Sequence, residues 1–153
     1  MSAEPGNASI SLLTFYLDDE HYGVQMCHVR EIIAWTHVTK VPKMPAYIKG
    51  VMNLRGNLIP VIDLRARFSL APKEPNMLTS IIVVSALGIP AGLVVDQVSE
   101  ALSVDAGNLL APPKFNEKIN VSYLNSMAQG DFGVVAILEL EAILGHEKLE
   151  LQS

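Results

Sequence analysis

Apolar residues in this chain come in short, β-branched runs separated by polar turn signals, a pattern that predicts strands rather than helices. The segments read as strands are 10–17 (ISLLTFYL), 22–26, 30–35 (REIIAW), 50–54, 58–62, 79–86 (TSIIVVSA), 90–96, 97–103 and 132–138 (FGVVAIL). Asp18-Asp19-Glu20 and Leu87-Gly88 are short enough to close two hairpins. Pro42, Pro45, Pro72, Pro75 and Pro112-Pro113 mark loops, because proline offers no ladder N–H. Helix is confined to a turn at 63–68, with Asp63 as its N-cap, and a piece from about Leu138 to Leu144 that Gly145 would close.

The pattern repeats. A shift of 69 residues lays Leu13 on Ile82, Gly23 on Gly92, Val24 on Leu93, Val29 on Val98 and Glu31 on Glu100. Further on, a shift of 76 lays Ile59 on Val135, Val61 on Ile137, Asp63 on Glu139 and Leu64 on Leu140. The change of offset implies an insertion within 103–130. Each half then holds roughly five strands, the number of a small barrel, and neither is large enough to stand comfortably alone. The expected fold is all-β: two pseudo-repeated five-stranded barrels packed on each other, with minor short helices. Their halves run roughly 10–70 and 79–147, after a disordered lead (1–9) and before a short tail (148–153).

Composition narrows the functions open to such a fold. Half of the residues are apolar and 18% are charged, as in a well-buried globular protein. A net charge of −5 with eleven scattered Lys and Arg argues against nucleic-acid binding. The acidic N-terminus has no secretory character, no apolar run reaches the ~20 residues of a membrane span, and one cysteine forms no internal disulfide. The expectation is a soluble cytoplasmic protein.

Candidate chemistry is sparse. His21, His28, His37 and His146 lack metal-ligand spacing, and no cofactor or metal is expected. Cys27 beside His28 reads as a buried thiol and a surface imidazole, not a catalytic dyad. Asp63 and Asp96 each end an apolar strand and could pair as catalytic carboxylates, but capping is the commoner role. Trp35 and Tyr47 could stack on a base or sugar, and packing is the better reading in an acidic chain. There is no phosphate-binding loop and no nucleophile elbow. No catalytic residue is expected.

Arg55 has more content. It lies in the polar tip Asn53-Leu54-Arg55-Gly56-Asn57 between strands that read as buried. A partly buried arginine calls for a carboxylate in fork geometry, and Glu31, set among aliphatics, is the chosen partner. Its counterpart Glu100 has no comparable arginine. Two roles stay open for the pair: bracing a turn, or contributing to a contact.

The series Leu17-Asp18-Asp19-Glu20-His21-Tyr22-Gly23-Val24, Val29-Arg30-Glu31-Ile32, Val38-Thr39-Lys40-Val41-Pro42 and Pro45 to Arg65 (PAYIKGVMNLRGNLIPVIDLR) resembles the CheW family of bacterial chemotaxis coupling proteins. Gly92-Leu93-Val94-Val95-Asp96-Gln97-Val98 is similar to that family's second-half signature. The resemblance spans about 10–147 and implies a CheW-like domain of two interleaved, SH3-like barrel subdomains. It further implies a non-catalytic adaptor linking methyl-accepting chemoreceptor tips to the regulatory domain of the histidine kinase CheA. The protein would then be cytoplasmic and recruited to membrane-associated receptor arrays, without inserting in the membrane. On matching positions it makes Val29, Glu31, Ile32, Gly50, Val51, Asn53, Arg55 and Gly56 candidate receptor- or kinase-binding residues. The chain departs from the family pattern at Ile33-Ala34-Trp35, where a basic residue and a glycine are common. Two alternatives remain: the same coupling role in a non-flagellar pathway such as twitching motility, and a barrel that binds a ligand or single-stranded nucleic acid.

Overall fold

The computed structural model describes residues 8–112 and 121–145; the expected lead (apart from Ala8 and Ser9), the tail, Pro113 and His146 lie outside them. Eleven strands and two short helices follow in chain order: β1 (Ser9–Leu17), β2 (Glu20–Gln25), β3 (Val29–Ala34), β4 (Ile48–Leu54), β5 (Asn57–Asp63), α1 (Leu64–Arg67), β6 (Ser80–Ala86), β7 (Ile89–Val95), β8 (Gln97–Asp105), β9 (Leu109–Leu110), β10 (Leu124–Gly130), β11 (Gly133–Leu138) and α2 (Leu140–Leu144). They form two sheets. Sheet A has the order β8-β1-β2-β11-β10-β9 and sheet B the order β3-β6-β7-β5-β4. The fold is all-β and SH3-like, with helix reduced to single turns.

Each half of the chain contributes to both sheets. β2 pairs in parallel with β11, Gly23 opposite Ile137, and β5 pairs in parallel with β7, Val61 opposite Gly92. The offsets of 69 and 76 that align the sequence turn one of these pairs into the other. Against the expectation of five strands per half, the first half supplies β1–β5 and the second β6–β11, and they mix into a six-stranded sheet A and a five-stranded sheet B. Two strands were not foreseen. β9 is only two residues long, and β10 (LNSMAQG) is polar and half-exposed, so neither carries an apolar run.

Alternation along the strands sorts the core into three clusters. On β6, Ile81 and Val83 face the inside of sheet B, with Met52, Ile59 and Val61, while Ile82 and Val84 face sheet A. On β1, Leu12 faces the inside of sheet A with Val135 and Ile137, while Leu13, Phe15 and Leu17 face sheet B. The largest cluster is the one between the sheets, where Phe15, Tyr22, Ile62, Ile82, Leu93, Leu64 and Phe68 meet. Each such side chain, fully buried, stabilises the fold by about 1.5–3 kcal/mol. The packing between the two sheets is therefore the main core.

Asp63 caps α1, its carboxylate accepting from the Arg65 N–H at 3.0 Å, and Gly145 ends α2 in the left-handed conformation. The loop before β4 lies on that strand: Thr39 and Val51 exchange backbone hydrogen bonds of 2.9 and 2.8 Å. Gly50 makes this approach possible, because a Cβ there would sit 2.1 Å from the Thr39 carbonyl oxygen. Gly50→Ala must push the loop away, and a loss of about 1–3 kcal/mol or more is expected in urea denaturation. An unchanged midpoint would show that the loop yields freely. Among the described residues no helix is long and apolar enough to cross a membrane.

Candidate functional site

The turn between β4 and β5 holds Arg55 and Gly56 with φ of 52° and 89°, and Leu54 pairs with Asn57 across it. Two positive φ values mark a primed hairpin turn, where Asn or Gly fits best and a side chain such as arginine costs backbone energy. Asn53 ties the turn down, its Oδ1 accepting from the Gly56 N–H at 2.8 Å. Arg55 sits in this unfavourable conformation with its guanidinium directed at β3.

There it meets Glu31. Arg55 Nη1 donates to Glu31 Oε2 and Nη2 to Oε1, the latter at 2.9 Å, which makes the contact bidentate. β3 is one edge of sheet B, and the β4–β5 turn joins its two strands at the other edge. In a flat sheet they would lie roughly 14–19 Å apart. Sheet B therefore curls around its own cluster until its two edges meet, and the ion pair spans the join.

The expectation of a partly buried arginine is not met. The Arg55 side chain is 71% exposed and that of Glu31 26%, so the guanidinium stays in water over a partly covered carboxylate, and the arginine needs no buried partner to explain it. Strand alternation misled here: the hairpin projects its tip beyond the core. Hydrogen bonding from Arg55 lowers the Glu31 pKa, partial desolvation opposes this, and the Arg55 charge adds to the lowering. A depressed carboxyl keeps its pair above the ordinary value near ~4.3 and loses it as pH falls through its own, lower value. Any difference in binding between wild type and Arg55→Ala should thus persist at neutral pH and fade below about pH 4. A difference constant down to pH 3 would mean that Arg55 acts without Glu31.

The other candidates separate into two groups. Val29 and Ile32 lie on the side of β3 that faces sheet A, opposite Val84 and Ile82, at the rim of the central cluster; Ile32 is 45% exposed. Asn53 and Gly56 belong to the exposed tip with Arg55. Val51 is half-buried under its bridge to Thr39, and Gly50 is buried beneath the same residue, so its role is to admit the loop. Trp35 is partly buried against the inner cluster of sheet B, with Lys49 Nζ 5.7 Å from its ring centroid. Cys27 and His28 form a 3-10 turn, and Cys27 is exposed, contrary to the buried thiol expected. That turn links two sheets across the surface, so its side chains do not alternate into a core. Among the described residues no three His, Cys, Asp or Glu converge as a metal site.

The arginine that is buried is Arg65, at the start of α1, where the helical turn alone gives no sign of its partners. Its Nη1 donates to Asp18 Oδ1 at 2.8 Å and to Asp96 Oδ2 at 2.7 Å, and its Nε donates to the Ala71 carbonyl at 2.7 Å. Side-chain exposure is 9% for Arg65 and 11% for Asp96. The Asp18 N–H also donates to Asp96 Oδ2 at 2.8 Å. Burial by itself would lower the Arg65 pKa, but the hydrogen bonds and charges of Asp18 and Asp96 outweigh it and hold the group protonated. The signal lay in the three strand ends Leu17-Asp18, Asp63-Leu64-Arg65 and Val95-Asp96.

A second arginine, Arg67, is stacked over Tyr47 at 3.8 Å and faces Tyr123 at 4.9 Å, while Nε and Nη2 donate to the Ile143 and Ala142 carbonyls at the end of α2.

The family model described as "CheW-like domain" matches residues 11–148. The chain belongs to the CheW family. It is 34% identical over 139 residues to a probable chemotaxis protein CheW of Rhizobium etli, covering 91% of this chain and 90% of that one. To the chemotaxis protein CheW of Klebsiella aerogenes it is 33% identical, with 91% and 84% covered. Protein PilI of Pseudomonas aeruginosa is 29% identical over 107 residues, 69% of this chain and 60% of that protein. Among solved structures, the scaffolding protein TtCheW of Thermoanaerobacter tengcongensis superposes with a TM-score of 0.87 at 32% identity, covering 94% of this chain and 99% of that one. This CheW-family chain thus carries the ion-paired tip and the apolar β3 rim on a fold that superposes on the solved TtCheW over 94% of its length.

Proposed function

We propose that the protein is a non-catalytic adaptor that couples the cytoplasmic tips of methyl-accepting chemoreceptors to the histidine kinase CheA. The match of the CheW-like family over residues 11–148 carries this reading. The solved relative called a scaffolding protein supports it. The adaptor works in the cytoplasm and is recruited to membrane-associated receptor arrays. It contributes surfaces and no bond-making step. Val29 and Ile32 offer an apolar rim for a receptor tip, and the tip Asn53, Arg55 and Gly56, held to Glu31, offers a polar contact beside it. Receptor state alters these shared contacts and so biases the kinase between its states.

The test is reconstitution of the purified protein with receptor signalling tips and the kinase of the same genome. Binding to both, with autophosphorylation raised only when all three are present, is the expected result. Binding to neither would overturn the adaptor reading. The match to a relative not named for chemotaxis, Protein PilI, favours a second reading: the same coupling role in a non-flagellar chemosensory pathway. Which receptors and kinase of that genome respond decides between the two.

A further inference from the structure

β3 runs into Trp35, in the segment Ile33-Ala34-Trp35 by which the chain departs from the family pattern. The indole packs against the inner cluster of sheet B, and the backbone N–H of Trp35 donates to the Thr79 carbonyl at 3.1 Å. Beside it, the connection from α1 to β6 has no regular structure but ends in a tied turn. The Asn76 N–H donates to Thr79 Oγ1 at 2.8 Å, the Leu78 N–H to Asn76 Oδ1 at 2.8 Å, and the Thr79 N–H to the Asn76 carbonyl at 3.2 Å. Between this turn and the sheet, Trp35, Lys49, Glu74, Pro75, Asn76 and Met77 line an open cleft of about 730 Å³. That is the size of a ligand site. It lies at the end of sheet B away from the Arg55 tip, since Lys49 is near the start of β4 and Arg55 follows its last residue.

The larger wall residues are apolar: Trp35, Pro75 and Met77. Met77 is 99% exposed and Leu78, next to it, 55%. A methionine so exposed adds nothing to the core, yet the turn that presents it is pinned. The polar groups are mostly donors. Asn76 Oδ1 is taken by the Leu78 N–H, which leaves the side-chain NH2 without an acceptor among the described residues. The Trp35 indole N–H also has no acceptor among them and is open to solvent. Lys49 Nζ lies 5.7 Å from the Trp35 ring centroid and has no ion pair among the described residues. Glu74 balances its charge, so the lining is neutral overall.

Apolar walls, unengaged donors and no net charge call for a neutral chain that brings carbonyl acceptors and apolar rings. A proline-rich segment answers all three demands. Proline has no N–H to strand, and its polyproline II form leaves every carbonyl free while losing little entropy on binding. A carboxylate-rich segment would be repelled by Glu74, and a purely apolar one would cover the donors without pairing them. We propose that this cleft docks an extended, proline-rich segment of a partner protein. Its rings lie against Trp35, Pro75 and Met77, and its carbonyls accept from the Trp35 and Asn76 side chains. The site shares no residue with the receptor- and kinase-binding candidates and does not depend on the coupling function.

Trp35 is the only tryptophan of the chain, so intrinsic fluorescence reports on this cleft alone. Decaproline with blocked ends, titrated into the purified protein, should shift the emission saturably, with half-saturation below about 1 mM. Raising salt from about 0.1 to 1 M should move that value less than twofold, because the contact is between neutral surfaces. Decaglutamate should give no saturable shift. Met77→Ala removes an exposed side chain, so it should keep the melting curve and weaken decaproline about threefold or more. Trp35→Phe keeps a ring but loses the N–H, and by calorimetry it should weaken binding about three- to tenfold. No saturable shift with decaproline, equal binding of decaglutamate, or full-strength binding by both variants would each overturn the site.

Discussion

Arg65→Met should cost about 3–5 kcal/mol of folding stability, the loss typical of removing one partner from a buried ion pair. For a chain of this size that is a fall of roughly 10 °C in Tm. Without the guanidinium, Asp96 keeps the Asp18 N–H and a distant Lys73, two carboxylates face each other, and the Ala71 carbonyl loses its donor. Methionine fills most of the same volume, so the loss would report charge and hydrogen bonding more than a cavity. Arg65→Lys restores the charge without the fork and should recover only part of the loss. Urea denaturation followed by circular dichroism gives the numbers. A loss under about 1 kcal/mol, the range of exposed pairs, would mean that solvent already screens the cluster.

Arg55→Ala should leave the thermal midpoint where it is and reduce coupling by about tenfold or more, as loss of an interface anchor does. The exposed ion pair has little stability to give up. Arg55→Asn sharpens the test, because asparagine tolerates the left-handed backbone better than arginine does. That variant should fold at least as well as the wild type and couple as poorly as the alanine variant. Kinase autophosphorylation in the reconstituted system is the readout, with the melting curve as control. If both variants activate the kinase normally, the Glu31–Arg55 pair only holds the edges of sheet B together.

These two arginines show which parts of the molecule the sequence discloses. β6 and β7 are buried on both faces, so SIIVVSA and PAGLVVD stand out as unbroken apolar runs. β10 buries only Leu124 and Ala128, with Met127 half-buried against the central cluster, and its composition is that of a loop. The Glu31–Arg55 pairing was legible because an isolated cation and an isolated acid each need a partner. Its exposure was not, since how far a hairpin projects depends on the curl of the sheet. Arg65 was hidden for the opposite reason. Its partners come from strand ends 47 and 31 residues away, and the pairing of β1 with β8, Tyr16 opposite Gln97, is what brings Asp18 and Asp96 together. The exposed Cys27 follows from topology too, because it lies in the turn that carries the chain from sheet A to sheet B.

The parallel pairings also set a timetable for synthesis. β2 cannot be completed until Ala136 arrives to lie beside Tyr22, and β5 must wait for β7. At ~5–20 residues per second, the first strands spend on the order of ten seconds outside the ribosome with Phe15, Tyr22 and Val24 uncovered. A nascent chain of this design is a natural client of chaperones that shield apolar segments, and the expression level of its variants will depend on how long that exposure lasts as well as on the stability of the finished fold.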